Sequence, residues 1–439
     1  MGTMASSTHQ FGVLDLIRAG LQDLDTARTL LDELRADGID DDRLCLLMKT
    51  LEQTCEPDIA LRNLVDIIKA LQSQGRDFHQ VITDDAGLVR LVTVLGVSDE
   101  MGKLMRFRPE LVMAAASDSC ESHLYNHAQR RAHVLEAVGA DPADNRMPKA
   151  TKPLAEAATA LRQTYRKQLA AIMAQDATAD DPIEIQPRIS QELSDLADAA
   201  LEGALAIARD EVDGSEHVRF AIIGMGKLGA RELNYVSDVD LIYVVEPADK
   251  DTNGMTLNRV GTKMATTLQR VCQSVIMGVA EPTLWQIDGG LRPEGKDGPL
   301  VRKLESHEAY YEQWAENWEL QALLKARPVA GDPDLGQAYM DMTRPFVWTA
   351  SKRDNFVYDC QQMRKRVEDL IPAPLKDREI KLGRGGLRDV EFTVQMLQLV
   401  HGRADETLRT SSTLESLQRL AEGGYVSRRQ AKKLSWDYR

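Results

Sequence analysis

Between Phe220 and Val245 the chain reads F-A-I-I-G-M-G-K-L-G-A-R-E-L-N-Y-V-S-D-V-D-L-I-Y-V-V. Two apolar runs are separated by a glycine-rich turn, and the second opens on Asp238 and Asp240. Runs this short, β-branched and bounded by turn residues predict strands, with partners to cover them. Residues i and i+2 of a strand share a face, so the two carboxylates point the same way. Two aimed carboxylates at a strand mouth can hold Mg²⁺, and glycines just before them leave room for a phosphate. The combination predicts nucleotidyl transfer. A dinucleotide-binding turn would need a longer crossover and a single acid about 20 positions on, whereas here the acids come sooner and as a pair.

On either side of this block the texture is helical. From Phe11 to Asp213, Leu14, Ile17, Leu21 and Leu24 recur at three- and four-residue spacing, as do Leu61, Leu64, Ile67, Ile68 and Leu71. That is the period of one helix face. Asp84-Asp85 reads as a helix start, and Asp180, Asp181 and Pro182 as a helix–helix connection. Strands are expected at Phe220–Ile223, Leu241–Val245 and, more weakly, Leu284–Asp288, with a helix over Leu257 to Val279. Helices follow at Tyr310–Lys325, Phe356–Leu370 and Val390–Val400, the last region ending beyond a cap at Ser427. The expectation is a mostly helical α+β chain in four parts. These are a tag or disordered start at 1–10, a helical region at 11–215, an α/β core at 216–303 and a helical region at 304–439, cut from a longer protein.

A chain of 439 residues is long enough for two or three domains. Its net charge of −14 argues against a dedicated nucleic-acid binder, which carries a basic face. It also means that a phosphate seat must be locally basic or metal-loaded. Cys45, Cys55, Cys120, Cys272 and Cys360 are scattered and form no C-x-x-C pair, which predicts neither a zinc knuckle nor a disulfide framework but a reducing cytoplasm. The polar start lacks a signal-peptide profile, and no apolar run reaches membrane-spanning length.

Four further sets of residues extend the site. Gly224, Gly226 and Gly229 allow close backbone approach, with Lys227 as a point charge beside them. Asp288, in L-W-Q-I-D-G-G-L-R-P, is the candidate third carboxylate from a neighbouring strand, followed by Arg292. In I-K-L-G-R-G-G-L-R-D-V-E-F, Lys381, Arg384 and Arg388 cluster at a helix start and predict an anion site, with Glu391 on the first turns. Glu319, Lys325 and Arg327 sit near the end of an aromatic helix whose Trp314 and Trp318 read as core. The histidines show no ligand spacing.

These blocks resemble the bifunctional glutamine synthetase adenylyltransferase/adenylyl-removing enzymes. The likeness runs through G-M-G-K-L-G-A-R-E-L-N-Y-V-S-D-V-D-L-I-Y, L-R-P-E-G-K-D-G-P-L-V, W-E-L-Q-A-L-L-K-A-R-P-V-A-G-D and I-K-L-G-R-G-G-L-R-D-V-E-F, in family order from Gly224 to about Gly402. The resemblance implies a nucleotidyltransferase core of the DNA polymerase β superfamily, and the wording is closer to the adenylyl-removing half. It implies that Asp238, Asp240 and Asp288 hold Mg²⁺ (or Mn²⁺). Gly224, Gly226, Lys227, Gly229, Ser237, Arg292, Lys325, Arg327, Lys381, Arg384 and Arg388 would bind nucleotide or phosphate. The implied reaction is phosphorolysis of adenylyl-tyrosine on glutamine synthetase, with orthophosphate consumed and ADP released. A uridylylated PII-type signal protein is the implied regulator; neither nucleic acid nor membrane is expected as a partner. The alternatives are the ATP-dependent adenylylating half and a silent regulatory domain binding nucleotide or signal protein. Two departures stand out: Ala230 replaces a usual glycine, and Gly290 stands where a basic residue is expected.

Overall fold

The computed structural model describes residues 11–117, 126–250 and 253–439. The candidate tag at 1–10 and Cys120 lie outside the described residues. Contacts gather the chain into two compact units. One comprises the described residues of Met1–Asn126 and Tyr165–Ile189, the other those of His127–Thr164 and Ser190–Arg439. Helices Leu154–Ala177 and Pro182–Glu211 therefore each give residues to both.

The first unit is helical, with its elements started by aspartates. Asp23, Asp40 and Asp84 each accept a backbone N–H three residues on, satisfying donors that a helix start leaves unpaired. Helix Pro57–Ser73 buries Leu61, Leu64, Ile67, Ile68 and Leu71, the face expected from their spacing. The same reading fails at the start of the unit. Leu14 and Ile17 are exposed, and Leu16 is buried instead. Helix Val13–Arg18 is six residues long, and Gly20, at φ +80°, turns the chain before the period can carry over.

The second unit is built on a five-stranded mixed sheet. β1 (Val218–Gly224) and β2 (Val239–Pro247) pair antiparallel from Val218↔Pro247 to Gly224↔Leu241. The outer edge of β2 takes two short parallel partners, β3 (Ile287–Asp288) at Val239–Asp240 and β4 (Val301–Arg302) at Tyr243–Val244. On the far side β1 pairs antiparallel with β5 (Arg327–Gly331). β4 and β5 were not expected from sequence. β5 is an edge strand whose register shifts opposite Ile222/Ile223, which is where a strand tolerates Pro328.

Both faces of the sheet are covered, so the strands read as continuous apolar runs rather than alternating ones. Ala221, Ile223, Ile242 and Val244 join a core with Leu335, Tyr339 and Val347 of helix Pro333–Thr349. On the other face lies helix Gly254–Gln273, which comes close at Gly261, where a Cβ would stand 3.0 Å from Val245 Cγ1. That helix ends six residues before the expected Val279. Arg162 donates to the carbonyls of Val271 and Ser274, and Gly278, at φ +84°, reverses the chain. The expected helix Tyr310–Lys325 is broken at Trp314–Glu316. There Glu316 N–H donates to Glu319 Oε2, and Glu319 helps start a new helix, Asn317–Ala322. Trp314 is 73% exposed and is not core. Among the described residues no helix is long and apolar enough to cross a membrane.

Candidate active site

The parallel β2–β3 pairing sets Asp240 directly beside Asp288. Like charges opposed on neighbouring strands are destabilising. Burial, then the Asp288 charge, pushes the Asp240 carboxyl up to about 6, against the pull of Arg388 and Lys381. Asp238 adds to the rise from just before β2, where it is exposed. The sheet thus holds two carboxylates in register with a third close enough to be felt.

The glycine turn forms a wall against this acid group. Gly226 has φ +53°, and a Cβ there would stand 2.5 Å from Asp240 Oδ2. Only glycine keeps that space open. Gly229 meets the Lys325 carbonyl so closely that a Cβ would stand 1.8 Å from it, and at Gly224 a Cβ would stand 2.6 Å from Val329. The following helix, Gly226–Gly229, is a single turn. Ala230 sits at φ −77°, a conformation that needs no glycine. Gly290 has its own reason: its N–H donates to Asp288 Oδ1 at 2.7 Å, and a Cβ would stand 2.9 Å from that oxygen.

Positive charge converges on the same place. Burial lowers the Lys227 ammonium pKa; Glu391 opposes, while Lys381, Lys325 and Arg388 push it lower still. Lys227, Lys381 and Arg388 therefore share one electropositive region with Asp240 at its edge. The loop carrying Lys381 and Arg388 is folded by residues that the sequence reading missed. Arg364 donates to the carbonyls of Leu382 and Gly383 and pairs with Asp389 at 2.5 Å. Asp389 also accepts Gly385 N–H at 2.6 Å, so the helix start is partly self-capped.

Other expected contacts are placed differently. Arg292 donates to the carbonyls of Gly289, Lys296 and Gly298, stapling the loop after Asp288. Arg327 grips Asp198 with two nitrogens at 2.6 and 3.1 Å and reaches the Leu228 and Gly229 carbonyls, fixing the glycine turn from behind. Lys325 is buried among Glu232, Glu391 and Thr413. Each of these three cations meets internal carbonyls or carboxylates. Ser237 donates to the Asp238 carbonyl, and Arg384 lies exposed in its turn. Asp195, Asp198 and Glu202 of helix Pro182–Glu211 were missed, although their three- and four-residue spacing marks one helix face. They meet Arg231, Arg327 and the Gly331 N–H.

A divalent metal is implied by the acid group. The donors are hard carboxylate oxygens, which suit Mg²⁺ or Mn²⁺, and Gly226 leaves space beside Asp240. The three acids do not close into a tight sphere by themselves. Among the described residues only His127, Asp195 and Asp198 bring three ligand atoms within 4.8 Å of one another. That trio is already neutralised by Arg231 and Arg327. Among the described residues no ion pair within 4.0 Å is made by Asp238, Asp240 or Asp288, and their oxygens fit a metal by chemistry and placement.

Paired carboxylates at the mouth of a small mixed sheet, wrapped by helices, define a mostly helical α+β protein of nucleotidyltransferase type. Residues 88–342 match the family described as glutamate-ammonia ligase adenylyltransferase, and residues 361–439 match the one described as GlnD PII-uridylyltransferase. The chain belongs to the glutamate-ammonia ligase adenylyltransferase family. It is similar to the bifunctional glutamine synthetase adenylyltransferase/adenylyl-removing enzyme of Bifidobacterium longum (strain DJO10A), at 76% identity over 436 residues, covering 99% of this chain and 40% of that protein. Its likeness to the enzyme of the same name from Cutibacterium acnes is 44% over 427 residues, 97% of this chain and 42% of the relative. For Streptomyces coelicolor the identity is 42% over 438 residues, 97% of this chain and 40% of the relative. The chain spans about 40% of the length of the curated relatives it matches.

Proposed function

We propose that this chain is an adenylyl-removing domain, acting by phosphorolysis on adenylylated glutamine synthetase in a reducing, cytoplasmic setting. The observation that carries the reading is the juxtaposition of Asp240 and Asp288, in register, with the region shared by Lys227, Lys381 and Arg388. The choice of the removing half rests on G-M-G-K-L-G followed by E-L-N, and on K-L-G-R-G-G-L-R-D-V-E-F.

Asp238, Asp240 and Asp288 would hold Mg²⁺, which when bound neutralises charge on the phosphates and orients them. Lys227, Lys381 and Arg388 bind the attacking orthophosphate, and Gly226 lets it approach the acid group. An oxygen of that phosphate forms a bond to the α-phosphorus of AMP on the tyrosine. The bond from phosphorus to the tyrosine oxygen breaks, and that oxygen takes a proton from solvent, so the products are ADP and free tyrosine. Orthophosphate is already largely ionised near neutral pH, so placement and charge neutralisation replace a strong base. The match of residues 361–439 to a PII-uridylyltransferase family supports a PII-type signal protein as the regulator.

The test offers the chain adenylylated glutamine synthetase with phosphate, and separately unmodified glutamine synthetase with ATP. ADP in the first reaction supports the reading; pyrophosphate in the second alone assigns the adenylylating half. No product in either reaction would favour a silent regulatory domain, and full turnover by Asp238→Asn would remove that acid from the proposed machinery.

A further inference from the structure

Behind the phosphate seat lies a buried network that the reaction as drawn does not use. Lys325 Nζ stands 3.1 Å from Glu232 Oε2, 3.4 Å from Glu391 Oε1 and 3.2 Å from Thr413 Oγ1. Arg388 Nη1 donates to Glu391 Oε2 at 3.0 Å. Thr413 donates to Glu232 through its N–H at 2.5 Å and its hydroxyl at 3.0 Å. The hydroxyl of Tyr438 lies 2.9 Å from Glu391 Oε1 and 3.3 Å from Glu232 Oε2. Two acids and two cations balance, and the tyrosine closes the ring between the acids.

The network touches the seat at two points. Arg388, like Lys381, is a cation whose charge reaches both Asp240 and Lys227, and Glu391 anchors its guanidinium. Glu232 follows the glycine turn and donates its N–H to the Lys227 carbonyl at 2.8 Å. A hydroxyl has one proton to give, and the shorter distance assigns it to Glu391. With that bond in place, Glu391 Oε2 is left aimed at Arg388. A side chain locked by its neighbours holds an anion site open without having to be ordered when the anion arrives.

We propose that Tyr438 and Glu391 are positioning residues for the phosphate seat, coupling helix Arg428–Tyr438 to anion binding. The identity of the anion rests on the reading given above; the coupling does not depend on which way the reaction runs. Neither residue touches the reacting atoms. Their effect passes through Arg388 and the glycine turn.

The experiment measures inorganic phosphate binding to the whole chain by isothermal titration, for the wild type, Tyr438→Phe, Glu391→Gln and Trp436→Phe. Loss of one hydrogen bond to a charged group is on the order of tenfold in affinity. Tyr438→Phe is expected to weaken phosphate by about that factor, and Glu391→Gln by at least as much. Trp436→Phe, an exposed change on the same helix, should leave it unaltered. In the ADP assay the KM for phosphate should rise in parallel while kcat at saturating phosphate stays within about twofold. Should Tyr438→Phe fail to fold, Glu391→Gln carries the same comparison. A variant that melts earlier yet binds phosphate as the wild type does shows a purely structural hydroxyl and overturns the proposal. A wild-type chain that does not bind millimolar phosphate also overturns it. A wild-type chain that binds phosphate but makes no ADP sinks only the assigned reaction.

Discussion

Asp240→Asn should stabilise the metal-free protein while abolishing its activity. The carboxyl is raised from 3.8 to about 6, first by burial and then by Asp288. At about 1.4 kcal/mol per pH unit, the ionised form strains the native state by about 3 kcal/mol. The sign follows from proton binding. Between pH 4 and 6 the native state holds a proton that the unfolded chain has released, so acid relieves the strain and alkali imposes it in full. The amide does not titrate. Its advantage over aspartate should therefore be about 3 kcal/mol at pH 8 and below about 1 kcal/mol at pH 4. In a unit of this size that is roughly 5–10 °C of melting temperature at pH 8. Thermal unfolding of both proteins in chelator at the two pH values measures it. Adding Mg²⁺ should then stabilise the wild type and leave the variant unmoved. The reasoning is refuted if the asparagine variant is less stable at pH 8, or if its advantage does not shrink with pH. A group strained in the free protein and relieved by ligand is the expected signature of a functional acid.

Three further outcomes follow from the same geometry. Gly226→Ala places a methyl against Asp240 Oδ2 at a positive φ and should suppress Mg²⁺-dependent turnover at least tenfold (order of magnitude, from 1–3 kcal/mol of local strain), read as ADP release. Arg327→Leu leaves the wholly buried Asp198 carboxylate without its bidentate partner. It should cost about 3–5 kcal/mol by chemical denaturation, much of it recovered in a double variant with Asp198→Leu. His307, buried among Tyr311 and Tyr339, has its pKa pushed down to about 3 by burial and then by Arg302. The unfolded chain takes a proton below pH 6.5 that the folded one refuses. Stability should therefore fall by about 2 kcal/mol more between pH 7 and 5 in the wild type than in His307→Phe, compared by denaturant titration.

The strands and acids of the site were legible because their signals are local. β1 and β2 lie within a residue or two of their apolar runs, and Asp288 stands on β3 beside Asp240 as the third-carboxylate reading required. Less legible is a local pattern that has two physical meanings. Lys325 and Arg327 at the end of a helix look the same whether they face a substrate phosphate or an internal carboxylate. The deciding partners, Glu232 and Asp198, lie 93 and 129 residues away. Glu232 meets Thr413 and Tyr438 across 181 and 206 residues, and nothing in any of the three segments marks the meeting. The apolar spacing of Leu14 and Ile17 was misleading because the helix beneath it is only six residues long. β5, five residues containing a proline, has too little period to be seen as a strand; the pairing with β1 makes it one.

The central claim is that Asp238, Asp240 and Asp288 serve a phosphate-driven removal of AMP. It is tested most directly by following ³²P from labelled orthophosphate with adenylylated glutamine synthetase and Mg²⁺. The account predicts label in the β-phosphate of ADP, reactivated glutamine synthetase, and neither with Asp240→Asn or in chelator. Free AMP in place of labelled ADP, or undiminished labelling by Asp240→Asn, would contradict it.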